Sequence, residues 1–290
     1  MTPSTCAVIV TWNSAEHITA CAQSLVDEGV TEVVVVDNAS ADDTVARARA
    51  VPGVTVIANP DNRGLAPGNN QGIRATSSDI VIVSNPDVIY PPGSVAALVD
   101  CLVRHPDAAI AVPRMTHLDG SLQTSAGDLP RLREAFGGRR LSQVTAAGPG
   151  SGAWWWDGWA HDEEVRIGHG AEAAYAVRRA AIDAAGLQDE EFWLDWEGVE
   201  WAARFGDAGY EVWFTPTSQV VHVGAHSIVH GGWRWVRSSH KGMYRYFRLH
   251  GPRIPAPLLA TAIAGRAAAK ALWFAIDPDM ARRATKRRRD

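Results

Sequence analysis

Four short apolar runs within the first 90 residues, each ending in polar residues, constrain this chain more than any other feature. They read "CAVIVTWN", "EVVVVDNAS", "VTVIANP" and "DIVIVSNPD", and stretches of helical spacing separate them. Strands that are apolar on both faces, alternating with helices, form a mostly parallel sheet covered on both sides. The expected fold class is therefore α/β and Rossmann-like. Ligands of such sheets sit at the carboxyl ends of the strands. Here those ends are Thr11-Trp12-Asn13, Asp37-Asn38-Ala39-Ser40, residues 59–64 and Asn85-Pro86-Asp87. A single polar end makes a turn; four in succession point to a site.

The intervening helices read "SAEHITACAQSLVDEG", "ADDTVARARAV" and "APGNNQGIRAT", the second with Ser40 as N-cap and Asp42 and Asp43 in its first turn. Beyond Pro92 the pattern loosens. A helix and a strand with turn lead to residues 128–158, rich in Gly, Arg and Trp, which read as a long loop. "HGAEAAYAVRRAAIDAAG" then gives a strand entering a helix, and "EEFWLDWEGVEWAARFGDAG" an acidic, aromatic turn and helix. "YEVWFTPTSQVVHVG" reads as a pair of strands, and the remainder as helical and basic. The expected organisation is one catalytic domain over residues 1–230 and a C-terminal helical extension over 231–290.

Composition narrows the class. With 290 residues, 46% hydrophobic and 21% charged, the chain can bury a large core, and its net charge of -4 gives no overall drive toward nucleic acid. Base is concentrated at the end, in "ARRATKRRRD". Three cysteines without CxxC spacing argue against a disulfide framework and a thiolate zinc site, which suits a reducing, cytoplasmic setting. The start has no basic n-region or long apolar h-region, so no secretory signal is read. "PLLATAIAGRAAAKALWFAI" carries Arg266 and Lys270 at mid-depth, which favours a helix lying on a surface over a membrane span.

Asp37, after four valines, can accept from a ribose hydroxyl or a base N–H, with Asn38 and Ser40 donating beside it; a capping turn is the structural alternative. Neither GxGxxG nor GxxxxGK[ST] follows the first strand, so a dinucleotide site and a P-loop are both unsupported. Asp87 suits a hard divalent cation, Asn85 offers a neutral oxygen and Pro86 stiffens the turn between them. His222 can complete the sphere, which would admit Mn²⁺ as well as Mg²⁺. His226, Ser227, Arg234, His240 and Lys241 follow His222 and can close over a diphosphate or form a basic helical face. The tryptophans cluster at 154–159 and 193–201, as a sugar-stacking groove, a membrane-interface belt or core.

Taken as a set, "VIVTWNSAEHITACAQSL", "VVVVDNASADDT", "NPDNRGLAPGNNQGI", "VIVSNPDV", "GAEAAYAVRRAAI" and the segment from "FWLDWEGVEW" to "HVGAHS" resemble the inverting family 2 glycosyltransferases of GT-A fold. The likeness covers roughly residues 1–230 and is strongest to bacterial rhamnosyltransferases. It implies that Thr11, Asn13, Asp37 and Asn38 hold a nucleotide and that Asn62-Arg63-Gly64 and Asn69-Asn70 line the donor pocket. Asn85-Pro86-Asp87 would stand as the metal motif for Mg²⁺ or Mn²⁺. The donor expected first is dTDP-rhamnose, with a UDP-sugar second, and the acceptor is a glycan or a polyprenyl-diphosphate-linked sugar.

One position departs from that family. Its acidic signature has an Asp, commonly the general base, where this chain has Gly198, within Glu197-Gly198-Val199-Glu200-Trp201. An inverting displacement still needs a base. Glu197 is the first candidate, Asp195 the second, and Glu200 the third, with a helix-capping or ion-pairing role open to Glu200. A non-catalytic sugar-binding relative and a nucleotidyltransferase are the rival readings; the latter lacks its Gly-rich basic loop. The basic C-terminal segment suits peripheral docking on anionic lipid, or a solvated tail.

Overall fold

The computed structural model describes residues 3–137, 148–224 and 226–276, with the side chains of 226–233 and 273–276 outside the description. The first half builds as its pattern predicts. Strands β1 (Thr5–Thr11), β2 (Glu32–Asp37), β3 (Val54–Ala58) and β4 (Ile80–Ser84) pair in parallel in the order β3-β2-β1-β4. Helices α1 (Ile18–Asp27), α2 (Thr44–Arg49) and α3 (Leu65–Arg74) connect them. Side chains of β1 alternate strictly: Ala7 and Ile9 join a core with Ile18 and Leu25 of α1, whereas Cys6 and Val8 face Ile73 of α3. Gly68 and Gly72 let α3 lie close on β1, because a Cβ at Gly72 would come within 2.3 Å of Val8 Cγ1.

The sheet continues through β5 (Val88–Ile89), helix α4 (Ser94–Arg104), β6 (Ala108–Thr116), β7 (Leu122–Gln123), β8 (Ala126–Gly127) and helix α5 (Leu132–Gly137). Then come β9 (Val165–Ile167), β10 (His169–Gly170), β11 (Ala174–Arg178), helix α6 (Arg179–Ala185), helix α7 (Glu197–Asp207) and β12 (Glu211–His222). Among the described residues ten strands form one mixed sheet, its main path running β3-β2-β1-β4-β11-β6-β12-β5. β11 is antiparallel to both β4 and β6, and β12 is parallel to β6.

Three local expectations need correction. Ser40 does not cap α2: its hydroxyl and N–H both bond back to Asp37, and α2 begins only at Thr44. Residues 211–222 make one strand, not two, with a register shift between Thr215 and Gln219 where Pro216 has no N–H to give. The stretch 128–158 is not all loop, since its described part carries α5 and buries Trp156, whose indole N–H donates to Asp128 at 2.9 Å.

Helices α8 (His226–Leu249) and α9 (Ala256–Ile276) end the described chain. Met243, Tyr246 and Phe247 of α8 and Leu259 and Ile263 of α9 share a core with Trp196, Val199 and Ala203 around α7. The division expected at residue 230 thus lies inside α8, and both terminal helices pack on the body of the fold. No described helix is long and apolar enough to cross a membrane. The basic run 281–290 lies outside the described residues.

Candidate active site

The carboxyl ends of β1, β2, β4 and β12 converge on a cleft of ≈ 1070 Å³. Thr11, Asn38, Asn62, Gly64, Asn85, Asp87 and His222 line it, together with Asp195 and Glu197. Of the six buried side-chain polar atoms without a hydrogen-bond partner among the described residues, four belong to this lining: Thr11 Oγ1, Trp154 Nε1 and both carboxylate oxygens of Glu197. Buried polar atoms are normally paired, so this concentration marks a place built for a ligand.

Asp87 and His222 meet because β5 pairs antiparallel with the end of β12, in the register His222 to Val88. His222 Nε2 lies 3.4 Å from Asp87 Oδ1, and its Nδ1–H donates to Gln123 Oε1 at 2.8 Å. That second bond orients the ring with Nε2 beside the carboxylate, and with Nε2 free of its proton the two atoms make a donor pair that fits a divalent cation. Asp87 Oδ2 accepts the N–H of Gly224. Burial alone would raise the Asp87 carboxyl, but His222 and that N–H hold it below its ordinary value. Another group of potential ligands, Cys101, His105 and Glu164, is already tied up: Glu164 pairs with Arg104 and His105, and the His105 ring stacks on Trp213.

Several expected site residues are engaged in contacts within the protein. Asp37 is buried and accepts both bonds from Ser40, so the turn reading applies to it. Asn13, with φ 50°, joins the same turn through Ser40 Oγ and the Ala41 N–H. Asn69 and Asn70 do not line the cleft: they bind Gln188 and Glu190 and tie α3 to the segment before α7. Arg63 pairs with Asp61 and Lys241 with Glu191, both in solvent and away from the cleft. The His226 side chain lies outside the described residues. Asn38 lines the cleft while donating to the Gly64 carbonyl.

Glu200 does not reach the cleft either. It is 2% exposed and locked to Arg204 Nε at 2.8 Å, with His250 alongside, so the ion-pairing alternative describes it. Asp195 and Trp196 both take left-handed conformations, at φ 67° and 76°, and Glu197 starts α7. Non-glycine residues held there are strained, and such strain gathers at functional sites.

Reading the sequence missed three cleft residues. Glu172, at the turn before β11, accepts the N–H of Val199 at 3.1 Å. Burial, then the neighbouring Asp195 charge, pushes its carboxyl up to about 7. Burial and Glu172 push Glu197 well above the ordinary carboxyl range, and burial also raises Asp195. From α9, Arg266 and Lys270 turn into the cleft, with Lys270 Nζ 4.0 Å from the Trp235 ring centroid. Burial and the adjacent Arg266 bring Lys270 down to about 8. A signal existed for this pair: two cations spaced i, i+4 in an otherwise apolar helix share one face.

A family model, glycosyl transferase family 2, matches residues 6–156, just over half of the 290-residue chain. The chain belongs to that family. It is 29% identical over 251 residues to N-acetylglucosaminyl-diphospho-decaprenol L-rhamnosyltransferase of Mycobacterium tuberculosis, covering 82% of this chain and 81% of that enzyme. Among solved structures, the mannosyltransferase PcManGT from Pyrobaculum calidifontis in complex with GDP-Man and Mn²⁺ superposes with a TM-score of 0.57 at 19% identity, over 99% of this chain and 80% of that one. GalNAc-T7 with UDP, GalNAc and Mn²⁺ also gives 0.57, at 17% identity, over 88% of this chain and 52% of that one. These likenesses show the GT-A fold, and with the family match they make this family 2 chain a glycosyltransferase.

Proposed function

We propose that the chain transfers a sugar with inversion from a nucleoside diphosphate sugar, dTDP-rhamnose first and a UDP-sugar second, to a hydroxyl of a glycan or polyprenyl-diphosphate-linked acceptor. The observation that carries this reading is that strand-end polar residues, the Asp87 and His222 pair and a carboxylate cluster line one cleft. The choice of rhamnose and of a lipid-linked acceptor is supported by the name of the mycobacterial relative.

Thr11 Oγ1, buried and unpaired, is available to the nucleotide. Asp87 and His222 would hold Mg²⁺ or Mn²⁺, which when bound supplies positive charge against the diphosphate. Arg234, Arg266 and Lys270 add their own charge at the mouth of the cleft and favour the same dianion. Trp154, Trp155 and Trp193 present rings on which a sugar face can stack. The acceptor hydroxyl is deprotonated by a carboxylate of the cluster Glu172, Asp195 and Glu197 as its oxygen attacks the anomeric carbon from the face opposite the leaving diphosphate.

A lipid-linked acceptor fits the outer face of α9, where Leu258 and Leu272 stand 64% and 63% exposed. With the basic run that follows, this face suits peripheral contact with an anionic bilayer.

The test is thermal stabilisation of the purified chain by dTDP, UDP and their sugars, each with and without Mn²⁺ or Mg²⁺. A metal-dependent rise with dTDP or UDP species supports the reading. No rise with any nucleotide would leave a non-catalytic relative of the fold as the better description.

A further inference from the structure

The acceptor end of the cleft holds three carboxylates, and their surroundings differ. Glu197 is sealed: it is 1% exposed, its oxygens are inaccessible, and its carboxyl lies against Glu172. Asp195 receives hydrogen bonds from Ser239 and Trp235 and faces Lys270. Glu172 is only partly buried and opens onto the cleft. Its carboxylate is fixed from behind by the N–H groups of Gly198 and Val199, in the first turn of α7, where the helix dipole favours negative charge.

Position 198 explains that placement. A Cβ built on Gly198 would lie 2.6 Å from Glu172 Cγ, 2.9 Å from Cδ and 3.1 Å from Oε1. A side chain at 198 would displace the Glu172 carboxylate from this position. The space beside the start of α7 is therefore filled by a carboxylate arriving from the turn before β11, and a glycine at 198 is the condition for its arrival.

We propose that Glu172 is the catalytic base, accepting the acceptor hydroxyl proton in place of an acid at position 198. The inference rests on the glycosyl-transfer reading. In the step, the acceptor O–H proton passes to a Glu172 oxygen, the new bond forms between that acceptor oxygen and the anomeric carbon, and the bond from the anomeric carbon to the diphosphate oxygen breaks with its electron pair leaving on the diphosphate. Burial and Glu172 itself raise the Glu197 carboxyl, which disfavours a second negative charge beside Glu172. The titratable groups facing Glu172 are Glu197 of α7, Asp195 of the preceding turn and Tyr175 of β11. A base near neutrality combines a deprotonated resting state with useful basicity, which suits this position.

The test uses the full chain with dTDP-rhamnose, or UDP-glucose if that is the donor turned over, and a synthetic N-acetylglucosaminyl-diphospho-polyprenol. Glu172→Gln is expected to lower kcat on the order of 10²–10⁴-fold while dTDP with Mn²⁺ still stabilises the variant as it does the wild type. Glu172→Ala should be equally slow, and adding Gly198→Asp should restore at least about tenfold by putting a carboxylate back in the vacated space. A Glu172→Gln enzyme within about threefold of wild-type kcat would overturn the proposal, as would a kcat loss matched by lost dTDP binding. Failure of the double variant to exceed Glu172→Ala would overturn the equivalence of the two positions. A wild type that binds dTDP and UDP without transferring either sugar would remove the transfer reading itself.

Discussion

His222 Nε2 faces Asp87 Oδ1 at 3.4 Å while its other nitrogen is committed to Gln123, so two ligand atoms from distant parts of the chain are oriented toward one point. If that point holds a divalent cation, Asp87→Ala should abolish the Mn²⁺-dependent part of the stabilisation by dTDP or UDP. Saturation a hundredfold above Kd is worth about 2.7 kcal/mol, so the effect is measurable as a shift in unfolding temperature. His222→Ala should weaken it less, and Gln123→Ala less again. Equal metal dependence in Asp87→Ala and wild type would displace the cation from this pair.

Lys270 reaches the cleft from a helix whose sequence suggested only a surface role. Replacing it with Ala should raise the Kd of dTDP or UDP about tenfold, close to 1.4 kcal/mol, with a steeper loss at pH 7 than at pH 9. The pH difference follows from its value of about 8: at pH 9 the wild-type ammonium has largely lost the charge that the variant lacks. Calorimetric titration at the two pH values checks this, and an unchanged Kd at pH 7 would move the diphosphate elsewhere.

The carboxylate cluster should make stability depend on pH. A carboxyl raised in the folded state stabilises the protein below its unfolded value, near 4.5 for Glu, and that contribution is lost as pH rises through the folded value, about 7 for Glu172. Glu197 is raised further by burial and by Glu172. The unfolding temperature of the wild type should therefore drop between pH 5 and pH 8, and Glu197→Gln, which cannot ionise, should drop less. Parallel curves for the two proteins would contradict a Glu197 carboxyl raised by its burial.

Gly64 has φ 98°, and a Cβ there would lie 2.5 Å from the Trp193 carbonyl oxygen that accepts the Leu65 N–H. Gly64→Ala should cost about 1–3 kcal/mol from the backbone conformation alone and more from the clash. Because Trp193 and Gly64 both line the cleft, nucleotide binding should weaken with it. Differential scanning calorimetry of the variant settles the first part.

The sheet, its helices and the place of the cleft were legible because they depend on period and strand-end chemistry, which are local. Asn85, Asp87 and His222 could be singled out for the same reason: each closes an apolar strand. What could not be read was the use of polar side chains after the ends were found. Asp37 and Asn13 bond within a single turn, and Asn69 and Asn70 fasten a helix to a segment more than a hundred residues away. Glu172 and Gly198 show the converse. Neither residue alone signals chemistry, and only their juxtaposition in space turns a missing acid into a glycine that makes room for one.

Sugar transfer is read by incubating the full chain with dTDP-rhamnose, Mn²⁺ and a synthetic N-acetylglucosaminyl-diphospho-polyprenol, and following the acceptor by mass spectrometry and the new linkage by NMR. An inverting rhamnosyl transfer gives one added deoxyhexose, with the anomeric configuration opposite to that of the donor. Retention of the donor configuration, or an unmodified acceptor with dTDP-rhamnose and UDP-sugars alike, would contradict it.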